Sequence, residues 1–187
     1  NILMKFLYKL AILLIFFTSQ SCSKKEIEVS QIKENSQESE MISSYIEAMK
    51  NMNDGDYFYA AKKFLESEIL FPQSDWAAKS ALMASYAYYT DNYYSEAIFN
   101  IERFIKTYPK DKRMDYAHFL LAMCFYETIV DEKKDLEPLM DAKKEFEFVI
   151  SNYPNSDFAL DSEFKIGLIN NILASKEMYL GRHYIKK

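Results

Sequence analysis

The chain has 187 residues, enough for one domain, and its three glycines and four prolines leave little material for hairpins or phosphate-binding loops. The formal net charge of −5, without a basic stripe in the sequence, excludes a nucleic-acid-binding surface of the usual kind. Neither of the two histidines has the spacing of a metal ligand and no nucleophile motif is present, so the sequence predicts a protein that is not an enzyme and binds no cofactor or metal.

The N-terminal segment predicts export and lipid anchoring. A short basic region at Met4 and Lys5 precedes an apolar run over 6–17, which is as long as a signal-peptide core and shorter than the ~20 residues of a spanning helix. After a few polar residues comes Cys22. A lone cysteine in this position resembles the lipid-attachment site of a bacterial lipoprotein, which implies that Cys22 is acylated. The alternative is an ordinary cleaved signal peptide with an incidental cysteine.

The sequence therefore divides into three parts. Residues 1–21 are predicted to be a lipoprotein signal peptide, and the mostly polar residues 22–38 a flexible tether. Helical periodicity starts at Met41, so residues 39–187 are predicted to form the folded domain.

Three stretches of this domain repeat one spacing that is typical of tetratricopeptide helix pairs. Ala60 lies four residues before Phe64 and twelve before Pro72. A small residue lets two helices approach closely, the apolar residue one turn later fills the seam, and proline ends the helix. The same spacing recurs at Ala97, Ile101 and Pro109, and again at Ala142, Phe146 and Pro154. Thirteen residues after each proline comes another small residue, which we expect at a close helix crossing: Ser85, Ala122 and Gly167.

The spacing predicts the helices in chain order. The first repeat has helices over about 40–53 and 56–70, joined by a turn at Asp54-Gly55, where glycine takes positive φ without strain. The second repeat starts with Ser74 as the N-cap and turns at Asp91-Asn92.

The third repeat begins near Lys112, and its first helix is predicted to reach about Val130. The charged stretch from Asp131 to Pro138 then predicts a surface loop before the second helix. A further helix starts at Asn155 and continues, with or without a break near Ala174, toward the end of the sequence.

The predicted fold is all-α: a tetratricopeptide-type helical repeat solenoid of three full repeats plus the start of a fourth. We expect the array to be truncated at its C-terminus, because repeat arrays need a capping element over the last apolar face and none follows.

In such a solenoid the first helices of the repeats line a concave groove. Positions three before, one after and four after the small residue of each first helix are predicted to face it, where the small residues are Ala48, Ser85 and Ala122. They are Tyr45, Met49, Met52, Leu82, Tyr86, Tyr89, Phe119, Met123 and Tyr126. An aromatic and methionine-rich groove suits a helix or an extended peptide from a partner, although some of these side chains would be inter-helix core, and we expect about half to be accessible.

Residues with reactive side chains are predicted to have structural roles. Cys124 lies in an apolar helical run and is expected to be a buried, unreactive thiol. His118 is expected on the helix surface or in the groove. Carboxylates two residues apart on a helix point in different directions and give no acid–base pair, which applies to Glu66 with Glu68 and to Glu145 with Glu147. Solvated helix surface is expected for Lys62-Lys63 and Lys143-Lys144.

Three runs carry a more specific signal: IERFIKTYPKDKRMDYAHFLLAMCFYE from Ile101, FEFVISNYPNSDFALDS from Phe146 and LASKEMYLGRHYIKK from Leu173. They are similar to the BamD family, the tetratricopeptide lipoproteins of the machinery that folds β-barrels into the bacterial outer membrane. The similarity covers roughly residues 40–187 and includes the lipoprotein start.

The resemblance implies a non-catalytic scaffold, lipid-anchored at the periplasmic face of the outer membrane. Its implied partners are BamA, the other barrel-assembly subunits and unfolded outer-membrane proteins, the last recognised by the N-terminal repeats. The alternative is another periplasmic tetratricopeptide-repeat lipoprotein, one that coordinates cell-wall synthesis or division.

Overall fold

The computed structural model describes residues 25–128 and 136–185, with side chains from residue 36 onward except that of Leu180. These residues form seven α-helices and no strand, which confirms the all-α fold class. The helices are α1 Lys25–Asp54, α2 Tyr57–Leu70, α3 Asp75–Thr90, α4 Tyr94–Thr107, α5 Met114–Glu127, α6 Glu137–Asn152 and α7 Asp157–Ile185. The described residues from Ser39 onward belong to one compact unit.

Consecutive helices pack against each other from α2 to α7, as helix pairs in a repeat array do. In addition, α3 contacts α5 and α5 contacts α7, so the first helices of successive repeats lie side by side. Two serines connect α1 to α2. Ser44 Oγ donates to the carbonyl of Lys63 at 2.9 Å, and Ser67 Oγ donates to the carbonyl of Met41 at 3.1 Å.

The repeated spacing defines the core. The alanines and the apolar residues one turn later have no exposed surface in any of the three repeats: Ala60, Phe64, Ala97, Ile101, Ala142 and Phe146. The second helices end where the prolines predict. Each has an aromatic C-cap, and the proline is the next residue; the C-caps are Phe71, Tyr108 and Tyr153.

Two turns have the backbone that their residues predict. Gly55 has φ +83° between α1 and α2, and Asn92 has φ 62° between α3 and α4. Glycine and asparagine are the residues that enter this left-handed region most easily. Ser74 is the N-cap of α3 as predicted, but its hydroxyl makes no capping hydrogen bond.

The structure corrects two predicted boundaries. Helix α1 begins at Lys25, within the predicted flexible tether; residues 22–24 lie outside the described residues. The segment is polar but has neither proline nor glycine and is rich in lysine, glutamate and glutamine, which favour helix. Helix α6 begins at Glu137, so Pro138, expected in the loop, lies in the first helical turn, where its missing N–H costs nothing. Residues 131–135 of that loop, and residues 129 and 130 predicted to end the helix before it, lie outside the described residues. Helix α7 runs unbroken past Ala174.

The third correction concerns Gly167. Ser85 and Ala122 are fully buried, as expected for close helix crossings. Gly167 is exposed, and a Cβ added there would have no atom within 4 Å. In the earlier repeats the second helix packs on the first, α4 on α3 and α6 on α5, whereas among the described residues no second helix covers α7. The nearby Leu160 and Phe164 are accordingly 72% and 67% exposed.

Candidate partner-binding groove

The predicted groove side chains fall into classes according to their register. Those three positions before the small residue belong mainly to the seam between helices. Tyr45 packs edge-on against Phe64 of α2 and Trp76 of α3, with ring centroids 5.3 and 5.0 Å apart. Leu82, the equivalent residue of α3, is only 3% exposed, so it is core and corrects the prediction that it lines an accessible groove.

Phe119 completes this class on α5. Its ring lies 5.8 Å from that of Phe146 and 5.2 Å from that of Phe158. It therefore joins α5 to both α6 and α7. The physical reason is that a residue three before the small residue lies on nearly the same helical stripe, which faces the neighbouring helices.

Side chains one position after the small residue are more open. Tyr86 is 36% exposed, and Met49 and Met123 are half-buried, each packed on one side against the apolar core. These three residues come from α1, α3 and α5, which are the first helices of the repeats. They are the positions at which a partner could contact the predicted groove.

Side chains four positions after the small residue are half-buried. Met52 packs against the core, and the Tyr89 ring lies 5.9 Å from that of Tyr94. Burial, with the nearby Glu127 carboxylate, raises the pKa of Tyr89 to about 12. Lys165 of α7 lies over the Tyr126 ring, with Nζ 4.8 Å from the ring centroid, so a cation–π contact connects α5 and α7.

The groove also contains apolar side chains that the register rule missed. Ile42 and Ile46 precede Met49 by seven and three residues, so the three share one face of α1. Ile46 is 62% exposed, and Ile42 and Trp76 are exposed as well. These residues could have been predicted from the sequence, because apolar residues at spacings of four and three mark one face of a helix even without the repeat.

Glu68, which the sequence did not mark as functional, joins the second helices of the first two repeats. Glu68 is buried and accepts hydrogen bonds from both Nη atoms of Arg103 at 2.7 Å and from the Tyr108 hydroxyl at 2.9 Å. Burial and the bond to Glu68 raise the pKa of Tyr108 to about 12. Glu66 points elsewhere, to Lys63 at 2.9 Å, which agrees with the prediction that the two carboxylates do not act as a pair.

His118 is buried rather than on the surface or in the groove, which corrects its predicted position. Its Nδ1 lies 2.7 Å from Glu145 Oε2, and its ring centroid is 4.1 Å from that of Phe148. Both contacts are to α6, so His118 joins the two helices of one repeat. This position could not be predicted from spacing along the chain, because His118 meets Glu145 and Phe148 only across the helix pair.

Cys124 is a buried free thiol. Burial raises its pKa to about 12, so almost none of it is thiolate at neutral pH. Among the described residues no cluster of histidine, cysteine or carboxylate side chains could hold a metal ion. Within the same part of the chain no helix is both long and apolar enough to cross a bilayer, and the apolar run over 6–17 and Cys22 lie outside it.

The chain is similar to known proteins over most of its folded domain. The family model described as YfiO, outer membrane lipoprotein, matches residues 37–187. Three curated relatives are each named outer membrane protein assembly factor BamD. That of Caulobacter vibrioides is 38% identical over 142 residues, covering 76% of this chain and 47% of the relative. Those of Rickettsia prowazekii and Neisseria gonorrhoeae are 34% and 29% identical, each covering 76% of this chain and 57% of the relative.

The chain thus spans about half the length of the curated relatives it matches. The matches confirm the resemblance seen in the sequence, and they cover the helices that form the groove.

Proposed function

We propose a scaffolding function for this chain, which belongs to the YfiO family of outer membrane lipoproteins. In this proposal it is a non-catalytic component of outer membrane protein assembly, held at the periplasmic face of the outer membrane by lipid on Cys22. Its partners are BamA, the other barrel-assembly subunits and unfolded outer membrane proteins. The names of the curated relatives favour this role over one in cell-wall synthesis or division.

The observation that carries the proposal is the exposed apolar surface on the first two groove helices. Ile42, Ile46 and Met49 form one stripe on α1, and Trp76 and Tyr86 lie on α3. Contiguous exposed apolar surface marks a binding site more often than an accident of composition. Strands of outer membrane barrels alternate apolar and polar residues, so an unfolded strand offers an apolar row that such a surface can bind.

The groove is tested by a double substitution, Ile46→Ala with Tyr86→Ala. Since both side chains are already exposed, we expect the helical circular dichroism to stay unchanged and the photo-crosslinking yield with a barrel-derived C-terminal peptide to fall about fivefold or more. The matched control is Phe99→Ala on α4, which removes an aromatic side chain that is 66% exposed on a second helix. Equal yields for the folded double variant and this control would place substrate recognition on another face.

The anchor is tested separately by Cys22→Ser. The family description as outer membrane lipoprotein supports acylation of Cys22. We expect the variant to lose fatty-acid labelling and to move from the membrane to the soluble fraction, because two or more acyl chains are needed for firm anchoring. A variant that still labels and sediments with membranes would show that the anchor is not on Cys22.

A further inference from the structure

Two turns of the array enclose a second surface feature, an open cleft of about 770 Å³. One wall is the α2–α3 turn with the start of α3, from Pro72 to Lys79, and the other is the α4–α5 turn, from Thr107 to Arg113. The first wall lies where the first repeat joins the second, and the other lies where the second repeat joins the third, so the cleft runs along one end of the second repeat. Its lining does not include Ile46 or Tyr86, the residues altered in the groove test.

The charge of the cleft is opposite to that of the chain. Its lining has four cations and two carboxylates, a net charge of +2, in a protein with a formal charge of −5. Asp111 does not offset the excess cations, because Arg113 occupies it with Nη2 2.6 Å from Oδ2 and Nε 2.7 Å from Oδ1. That pairing also holds the pKa of Asp111 below its usual range.

The other three cations of the lining are lysines, of which Lys112 also lies near enough to Asp111 to help lower the pKa of that carboxyl. Among the residues that the structure describes, no carboxylate forms a salt bridge with Lys79, Lys110 or Lys112. Lys110 and Lys112 are exposed, while Lys79 is held over the Trp76 ring with Nζ 4.6 Å from the centroid. Unpaired lysines converging on one cleft give a positive potential that attracts an anionic group.

The wall beside the lysines offers an apolar contact. Trp76 is 44% exposed, so the part of its indole that Lys79 does not cover presents an apolar surface at the cleft. An apolar surface beside several lysines fits the side chains of a peptide better than it fits a flat anionic surface.

We propose that this cleft binds an acidic segment of a partner protein, in which carboxylates meet Lys110 and Lys112 and an apolar side chain packs on Trp76. The occupant follows from charge complementarity and from the Trp76 wall, because an anionic membrane would reach the two exposed lysines without needing that wall. Trp76 is shared with the exposed apolar surface of the groove, but Lys110 and Lys112 are not, and binding of an acidic segment goes beyond the proposed function.

Trp76 is the only tryptophan of the chain, so its emission reports on the cleft directly. The purified chain is titrated with a tryptophan-free peptide of glutamates around a central leucine, and in parallel with the same peptide carrying glutamine for glutamate. We expect a saturable change with the acidic peptide alone, weakened about tenfold or more by Lys110→Gln with Lys112→Gln, since both remove unpaired cations at the cleft.

The matched control is Lys50→Gln with Lys144→Gln, which removes two exposed lysines outside the cleft. The proposal is overturned if the two double variants weaken binding equally, if the glutamine peptide binds as well, or if neither peptide binds. It is also overturned if phosphatidylglycerol vesicles, and not the peptide, change the Trp76 emission in a way that Lys110 and Lys112 control, because the site would then belong to the membrane.

Discussion

Helices α5 and α7 open successive repeats in the same register, yet their surroundings are opposite. On α5, Ala122 has no exposed surface and α6 packs alongside; on α7, Gly167 meets open space and Leu160 and Phe164 are exposed. The repeated spacing therefore marks the face of a helix that can accept a neighbour, whereas burial depends on whether that neighbour is there. Interior helices and α7 should respond differently to the same substitution.

The largest expected difference comes from leucine at the two matched positions. Ala122→Leu overpacks a filled seam and should lower the free energy of unfolding by about 3 kcal/mol. Gly167→Leu enters open space on a helix, where replacing glycine should raise stability by about 0.5 kcal/mol through helix propensity. Urea denaturation followed by circular dichroism measures both. Equal losses for the two variants would mean that the register does not place Ala122 at a close crossing.

A smaller difference is expected between polar contacts inside the array and those at α7. Glu68→Gln leaves the partly exposed Arg103 guanidinium without its carboxylate and should lower the free energy of unfolding by about 1–2 kcal/mol. Lys143 of α6 donates to Asn170 of α7 at 3.1 Å in an exposed contact, and Lys143→Gln should cost about 0.3 kcal/mol. If Lys143→Gln proves as costly as Glu68→Gln, the contact between α6 and α7 is as important as the interior one.

The smallest effect on stability is expected from Gly167→Cys, which instead compares the accessibility of thiols. Cys124 is buried with its pKa raised to about 12, so iodoacetamide should modify it on the order of a hundredfold more slowly than a cysteine at position 167. Mass spectrometry of the two peptides from one folded sample gives the ratio. Similar modification rates at the two positions would show that α5 opens often enough to expose Cys124.

The part of the fold that could be predicted is the part that depends on local contacts. Alanine, an apolar residue one turn later and proline act within one helix and its nearest neighbour, so their spacing predicted the second helices and their ends. The Glu68–Arg103 contact could not be predicted in this way, because the residues are 35 apart in sequence and meet only through the stacking of two repeats.

The groove was predictable in outline and not in detail. Spacing indicated which helices line it, since first helices alternate with second helices along the chain. It could not separate Leu82, which is buried, from Tyr86, which is exposed, because that depends on the angle at which α3 meets its neighbours. Ile46 was not predicted because the register counts positions from the small residue of each repeat, and position 46 is not one of them. The apolar stripe of α1 would have indicated it.

The Glu68–Arg103 contact has a consequence for how the array opens. It ties α2 to α4, and the Tyr108 hydroxyl strengthens the tie, while α3 packs between these two helices in the chain order. Amide protons of α3 can then exchange with solvent only when both of its neighbours separate, so the first two repeats behave as one cooperative unit. The far end of α7 is exposed, so its amides should exchange first, by fraying that leaves the other helices protected.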